Sequence, residues 1–200
     1  MGENVMNKTI NYYNLNADNF VAGTVSVGFQ DIQKKFTDKL PKGATILDFG
    51  CGSGRDVKYF LENGFCVSAI DGSIELCKRA NKYTGVDVKN ILFQEFSEIE
   101  EYDGIWACSS ILHLSLIELK NVIRQMERAV KSGGIIYTSF KYGTFEGERN
   151  GRYFIDMTED TFALLIQERE ELHIEEQWVT FDVRPGRGEE QWLNIILRKK

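Results

Sequence analysis

Residues Ile46-Leu47-Asp48-Phe49-Gly50-Cys51-Gly52-Ser53-Gly54-Arg55-Asp56 decide the fold. An apolar, strand-like run ends in three alternating glycines, and a helix-forming run follows. Glycine takes positive φ readily and lets a ligand approach the backbone with no Cβ in the way. The helix N-terminus beyond offers free N–H groups to an anion such as a carboxylate. Strand, turn and helix in this order make a platform for a cofactor. Two familiar loops do not fit: a GxGxxG dinucleotide fingerprint needs glycine at 55 or 57, where Arg55 and Val57 stand, and a Walker loop needs Gly-Lys-Ser or Gly-Lys-Thr. Asp48-Phe49-Gly50 spells the kinase DFG by chance, since no HRD-type loop precedes it and the chain is too short.

The next strand ends in Ile70-Asp71-Gly72-Ser73. Asp71 lies about 20 residues beyond Gly50, the separation expected of a carboxylate that accepts hydrogen bonds from ribose hydroxyls. Its two oxygens can take both hydroxyl protons.

Outward from this unit, β-branched and aromatic runs alternate with helix-period segments, which predicts an α/β domain with a parallel sheet. Helices are expected over Gln30–Leu40, Arg55–Glu62, Ser73–Tyr83 with Ser73 as N-cap, Leu116–Val130 and Thr158–Glu168. Strands are expected over Ala44–Phe49, Phe65–Ile70, Val88–Phe93, Gly104–Cys108 and Ile135–Phe140, the last entered through a break at Lys131-Ser132-Gly133-Gly134. Two late strands, Leu172–Phe181 and Trp192–Leu197, flank Arg184-Pro185-Gly186-Arg187-Gly188 and read as an antiparallel hairpin. The leader over residues 1–20 is rich in Asn and Tyr and has no assigned element.

The DxGxGxG loop with the acid after the second strand resembles the class I S-adenosylmethionine-dependent methyltransferases. Tyr102-Asp103-Gly104-Ile105-Trp106-Ala107 is similar to that family's fourth motif, Lys131–Gly134 to its turn before the fifth strand, and the late hairpin to its antiparallel end. The resemblance runs from about Tyr12 to Arg198. It implies a doubly wound, mostly parallel seven-stranded sheet with an antiparallel last strand and helices on both faces. It also implies one methyltransferase domain over 1–200, with residues 1–40 covering the cofactor site.

For S-adenosylmethionine, the resemblance implies a site in which Asp48, Gly50, Cys51, Gly52 and Arg55 surround the methionine part. Asp71, Gly72 and Ser73 would take the ribose, and Cys108 and Ser109 would face the methyl group. Tyr13 is similar to a tyrosine that closes over the cofactor. After the third strand the family's usual Asp is missing, so Gln94, Glu95 and Phe96 are the residues available to the adenine.

Methyl transfer from a sulfonium asks mainly for in-line placement in a dry site, and a base only for an unactivated O–H or N–H acceptor. His113 follows the fourth strand at the sheet's carboxyl edge and is the candidate base; a histidine bonded to backbone at a helix start is the alternative. Phe140-Lys141-Tyr142-Gly143 and Arg149-Asn150-Gly151-Arg152-Tyr153-Phe154 either line an acceptor pocket that binds a carboxylate or phosphate or form a solvated loop. Cys108 lacks the Pro-Cys context of cytosine-C5 enzymes, and the Asn/Asp-Pro-Pro-Tyr motif of base-methylating enzymes is absent.

The 200 residues suit one domain, and 42% hydrophobic with 27% charged residues is ordinary for a globular chain. A net charge of −6 weighs against a nucleic-acid partner and for a small-molecule acceptor. The 4 cysteines form no CxxC pair and no cluster with the 2 histidines, so no metal and a reducing compartment are expected. No apolar run suggests a signal peptide or membrane span, and Met6 stands where a Met1-Gly2 myristoylation signal wants Ser or Thr. The expected setting is the cytoplasm, and the oligomeric state stays open. A non-catalytic module that binds the cofactor as sensor or partner subunit is the main alternative, and a nicotinamide oxidoreductase a more distant one.

Overall fold

The computed structural model describes residues 5–184 and 186–200; Met1-Gly2 and Pro185, considered above, lie outside them. Seven strands form one sheet: β1 (Thr45–Phe49), β2 (Cys66–Asp71), β3 (Lys89–Asn90), β4 (Tyr102–Ala107), β5 (Val130–Lys141), β8 (Leu172–Phe181) and β9 (Gln191–Lys199). A separate hairpin holds β6 (Glu146–Arg149) and β7 (Arg152–Ile155). The helices are α1 (Val5–Leu15), α2 (Ala17–Thr24), α3 (Gln30–Thr37), α4 (Arg55–Glu62), α5 (Ile74–Thr84), α6 (Leu116–Ala129) and α7 (Glu159–Ile166).

The spatial order is β3-β2-β1-β4-β5-β9-β8. The first five strands are mutually parallel, and β9 runs antiparallel to both β5 and β8. The chain goes from β1 outward to β3 and returns to β4 beside β1, so the switch point lies between β1 and β4. Ligands of open α/β sheets bind outside the strands' carboxyl ends at that crevice. Both loops that carry candidate residues, Gly50–Gly54 and Cys108–His113, leave the sheet there.

Strand alternation divides the core. Ile46, Trp106, Tyr137 and Ile196 face Phe36 of α3 and Phe60 of α4, with the Trp106 and Tyr137 rings stacked at 4.0 Å. Leu47, Phe49, Ile105 and Ile136 face the other way, into a cluster with Leu119 and Ile123 of α6 and Phe162 of α7. Helix starts follow the expected chemistry: the hydroxyls of Ser73, Ser115 and Thr158 accept from backbone N–H groups in the first turns of α5, α6 and α7.

Four expectations are corrected. The leader folds into α1 and α2, with α1 packed on β7 and α5. The expected third strand shrinks to Lys89–Asn90 at the exposed sheet edge, because Phe93 turns inward to stack on Phe49 at 4.6 Å. The fifth strand begins at Val130 rather than Ile135: the helix does end at Ala129, but Lys131–Gly134 form an irregularity inside β5, between the Tyr102–Val130 and Gly104–Ile135 pairs with β4. The segment 146–155 is a hairpin, not a loop. Among the described residues no helix is long and apolar enough to cross a membrane.

Candidate active site

The glycine loop is stitched to its neighbours by backbone. Gly50 and Cys51 both donate to the Ile70 carbonyl, at 2.9 and 3.0 Å. Gly50 has φ +92°, and a Cβ there would fall 2.5 Å from the Ser110 Cβ. Ser110 in turn donates to the Phe49 carbonyl at 2.6 Å. The loops after β1 and β4 therefore touch, which only glycine at position 50 permits.

Asp71 ends β2 opposite this loop. Its Oδ2 accepts from the Gly52 N–H at 2.9 Å and its Oδ1 from the Ser73 N–H at 2.8 Å. Each oxygen keeps acceptor capacity beyond that one bond. Burial pushes the carboxyl up to about 6, while the two N–H groups pull it the other way. Near neutral pH it is ionised.

Beneath the loop sits a charged network. Asp56, in the first turn of α4, accepts from Arg55 Nε at 2.8 Å and Nη2 at 2.9 Å, from Gln33 Nε2 at 2.6 Å and from Trp106 Nε1 at 2.9 Å. Burial opposes its charge, but these four donors, Arg55 foremost, hold its carboxyl below the ordinary value. Buried Asp48 is raised well above that value by burial and by Asp56 beside it. Arg55 also covers the Phe29 ring at 4.4 Å.

The opposite wall is assembled from distant segments. A single 3₁₀ turn, Ile111–His113, brings His113 against α1 and β7. His113 Nδ1 lies 2.6 Å from the Tyr153 carbonyl oxygen, which can only accept, so Nδ1 carries the proton. Nε2 then accepts from the Tyr13 hydroxyl at 2.8 Å, and Arg152 Nη1 donates to that hydroxyl at 3.3 Å. The chain Arg152–Tyr13–His113–Tyr153 thus runs in one donor direction. Burial lowers the imidazole to about 4; the Tyr153 carbonyl opposes this and the Arg152 charge adds to it. At that lowered value His113 is neutral near pH 7 and its Nε2 is engaged by Tyr13, which weighs against the role of base expected of it.

Both walls line one cavity of about 200 Å³. Of the residues singled out in the sequence, Tyr13, Gly50, Cys51, Gly52, Arg55, Asp71, Gly72, Cys108, Ser109 and His113 line it. Asp48, Ser73, Gln94, Glu95 and Phe96 are not in its lining. Ser73 caps α5 and donates to Asn14 Oδ1 at 2.7 Å. Gln94 donates to Glu118 at 3.1 Å, Glu95 accepts from the Leu92 N–H at 3.0 Å, and Phe96 is buried against Phe49. In their place Leu92 and Phe93 face the cavity, with Ile10 and Phe20 from the leader helices. The β8–β9 loop adds Asp182, Arg184 and Arg187 beside Trp192. Burial, with Asp56 nearby, pushes the Cys108 thiol up to about 12, so it is no nucleophile at neutral pH. Among the described residues no group of His, Cys, Asp and Glu could hold a metal ion.

A glycine loop and an acid at the switch point of a doubly wound sheet define a Rossmann-like cofactor-binding enzyme fold. Residues 46–134 match the family model described as a methyltransferase domain. The malonyl-[acyl-carrier protein] O-methyltransferase of Salmonella typhimurium is 26% identical over 120 residues, 56% of this chain and 45% of that protein. The 2-methyl-6-phytyl-1,4-hydroquinone methyltransferase of Synechocystis sp. is 30% identical over 106 residues, 50% of this chain and 32% of that protein. The chain thus spans less than half the length of these curated relatives. In fold it is similar to the 1,6-didemethyltoxoflavin-N1-methyltransferase of Burkholderia thailandensis, crystallised with 1,6-didemethyltoxoflavin and S-adenosylhomocysteine. That likeness has a TM-score of 0.73 at 21% identity and covers 96% of this chain and 85% of that one. Over the matched residues the chain is similar to S-adenosylmethionine-dependent methyltransferases, and its fold is theirs.

Proposed function

We propose that the protein binds S-adenosylmethionine and transfers its methyl group to a small-molecule acceptor, leaving S-adenosylhomocysteine. The observation that carries this reading is Asp71. It is ionised, buried, braced by Gly52 and Ser73, and lines the same cavity beside the glycine loop. Its remaining acceptor capacity suits the two ribose hydroxyls, and the Gly50–Gly52 backbone suits the methionine part. Ile10, Leu92 and Phe93 offer the adenine an apolar wall in place of Gln94, Glu95 and Phe96. Two of the three relatives above are named for small organic acceptors.

When bound, S-adenosylmethionine supplies a methyl group on a sulfonium. The protein's own work is to orient, to exclude water and to leave the acceptor's nucleophile unprotonated. Tyr13, Phe154 and Phe20 close the cavity with apolar rings. With His113 neutral and occupied, the lining offers no strong general base. The matching acceptor atom carries a free lone pair at neutral pH, as in a heteroaromatic nitrogen, a thiolate or an acidic hydroxyl.

Calorimetry with S-adenosylmethionine, S-adenosylhomocysteine and NAD tests the reading: the first two bind and NAD is much weaker. Asp71→Ala, in a folded protein, costs S-adenosylhomocysteine about 1–3 kcal/mol of affinity, because the hydroxyls lose a charged acceptor. Tighter binding of NAD, or unchanged affinity in the variant, overturns it.

A further inference from the structure

The protein carries a net charge of −6, yet its cavity is lined with more cationic than anionic side chains. Most of these cations are answered. Arg55 is held by Asp56, Arg184 by Asp182, and Lys141 with Arg187 by Glu190. Arg152 is different. Among the described residues no carboxylate lies within ion-pair distance of its guanidinium, and its Nε is buried with no hydrogen-bond partner.

Its surroundings sharpen the contrast. In the β6–β7 register Arg152 sits directly opposite Arg149, a like-charge pairing that destabilises a hairpin. Arg149 is neutralised by Asp156. Arg152 is instead framed by rings, 4.5 Å from Tyr12, 5.1 Å from Phe154 and 5.6 Å from Tyr13. Aromatic faces stabilise a cation and orient its plane, but they supply no acceptor for N–H groups. A partly buried guanidinium with an unmet N–H, set among rings and lining a ligand cavity, is suited to fork-like binding of a planar oxyanion.

We propose that Arg152 is the recognition site for an anionic group, a carboxylate by preference, on the methyl acceptor, so that the substrate class is small planar acids. The proposal rests on the methyltransferase reading for what happens to that molecule, though not for its binding. The methionine carboxylate of the cofactor has the same chemistry and is the competing source. Arg152 lies against Tyr12, Phe154 and the Tyr13 that the family likeness sets beside the cofactor; that it bonds to no residue of the glycine loop, among the described residues, favours the acceptor.

The test is calorimetry on the 200-residue chain saturated with S-adenosylhomocysteine, titrated with benzoate and with its neutral counterpart benzamide. Wild type prefers benzoate by about tenfold or more, as a charge-assisted pair over a neutral one should. Arg152→Gln loses that preference, and Arg152→Lys, which keeps the charge but not the fork, retains part of it. Affinity for S-adenosylhomocysteine stays within about twofold in both variants. Equal binding of benzoate and benzamide to wild type, or a preference that survives Arg152→Gln, overturns the proposal. So does a variant that loses S-adenosylhomocysteine affinity while 5′-methylthioadenosine, which lacks the carboxylate, binds as before; the anion is then the cofactor's. If S-adenosylhomocysteine fails to bind wild type, the methyltransferase reading falls. The same benzoate and benzamide titrations on the ligand-free protein then decide the Arg152 site alone.

Discussion

The two walls of the cavity are built in opposite ways. The backbone of the glycine-loop wall comes from one stretch, β1 through the start of α5, and is fixed by backbone donors, with Gln33 of α3 and Trp106 of β4 bracing it from outside through Asp56. The facing wall joins residues 100 or more positions apart, Tyr13 to His113 and to Arg152, through neutral or singly charged hydrogen bonds. A local motif arrives with its geometry set, whereas a wall of distant segments exists only once the whole domain is folded. The sharpest way to break this contrast is Asp56→Ala. That change strands the buried Arg55 cation together with the Gln33 and Trp106 donors. Removing one partner of a buried ion pair costs about 3–5 kcal/mol, which urea unfolding would report. A loss under about 1 kcal/mol would mean the network does not lock this wall.

The walls also differ in how they respond to protons. Asp71 moves from an ordinary 3.8 to about 6, and His113 from 6.5 to about 4, both through burial. Between pH 3.8 and 6 the native state holds a proton on Asp71 that the unfolded chain has lost, so this group's stabilisation fades as pH rises. Between pH 4 and 6.5 the unfolded chain protonates its histidine while native His113 stays neutral, so stability from this group grows as pH rises. Each effect amounts to about 3 kcal/mol, and in one protein they offset. Urea unfolding of ligand-free wild type, Asp71→Asn and His113→Gln at pH 4 and 6.5 separates them. Relative to wild type, Asp71→Asn gains stability as pH rises and His113→Gln loses it. Profiles that stay parallel would show that neither group carries the shift.

The same division governs what could be read from the sequence. Helix α4 was legible to the residue because Gly54 precedes it and Asn63-Gly64 ends it; β8 was legible as an alternating run. The doubly wound sheet with its antiparallel last strand followed from the family likeness of the loop and Asp71, though not the order of its strands. The leader was not legible, because α1 is polar and Asn-rich with little apolar periodicity, and its stability comes from packing on β7 and α5. The β6–β7 hairpin did announce itself. Asn150-Gly151 is the strongest short-range signal for a two-residue hairpin, and both residues take positive φ, +50° and +75°. Gln94 and Glu95 were placed against the adenine by their position after a strand, but that strand ends early. Phe93 and Leu92 face the cavity while the two polar residues bond to Glu118 and to backbone.

The smallest expected effect concerns the Tyr13–His113 bond, which joins the leader to the turn after β4. Burial, opposed by Arg152, raises the Tyr13 phenol above its ordinary value, so it is a hydroxyl donor throughout the working pH range. Tyr13→Phe keeps the ring, which packs on Phe20 at 5.2 Å, and removes only the hydroxyl between Arg152 and His113. The imidazole Nε2 is then buried without a donor. That costs about 1 kcal/mol of stability and lowers the melting temperature by about 2–4 °C for a domain of this size. Loss of S-adenosylhomocysteine affinity stays below about threefold, under 0.7 kcal/mol, because the glycine-loop wall is untouched. His113→Gln weakens the same bond from its other end, so the two changes do not add. A double-mutant cycle on unfolding free energies returns a coupling of about 0.5–1.5 kcal/mol. Additivity within about 0.3 kcal/mol would mean that the Tyr13–His113 bond is not what ties α1 to the turn, and that the packing of Tyr13 on Phe20 and of His113 on Phe154 does it instead.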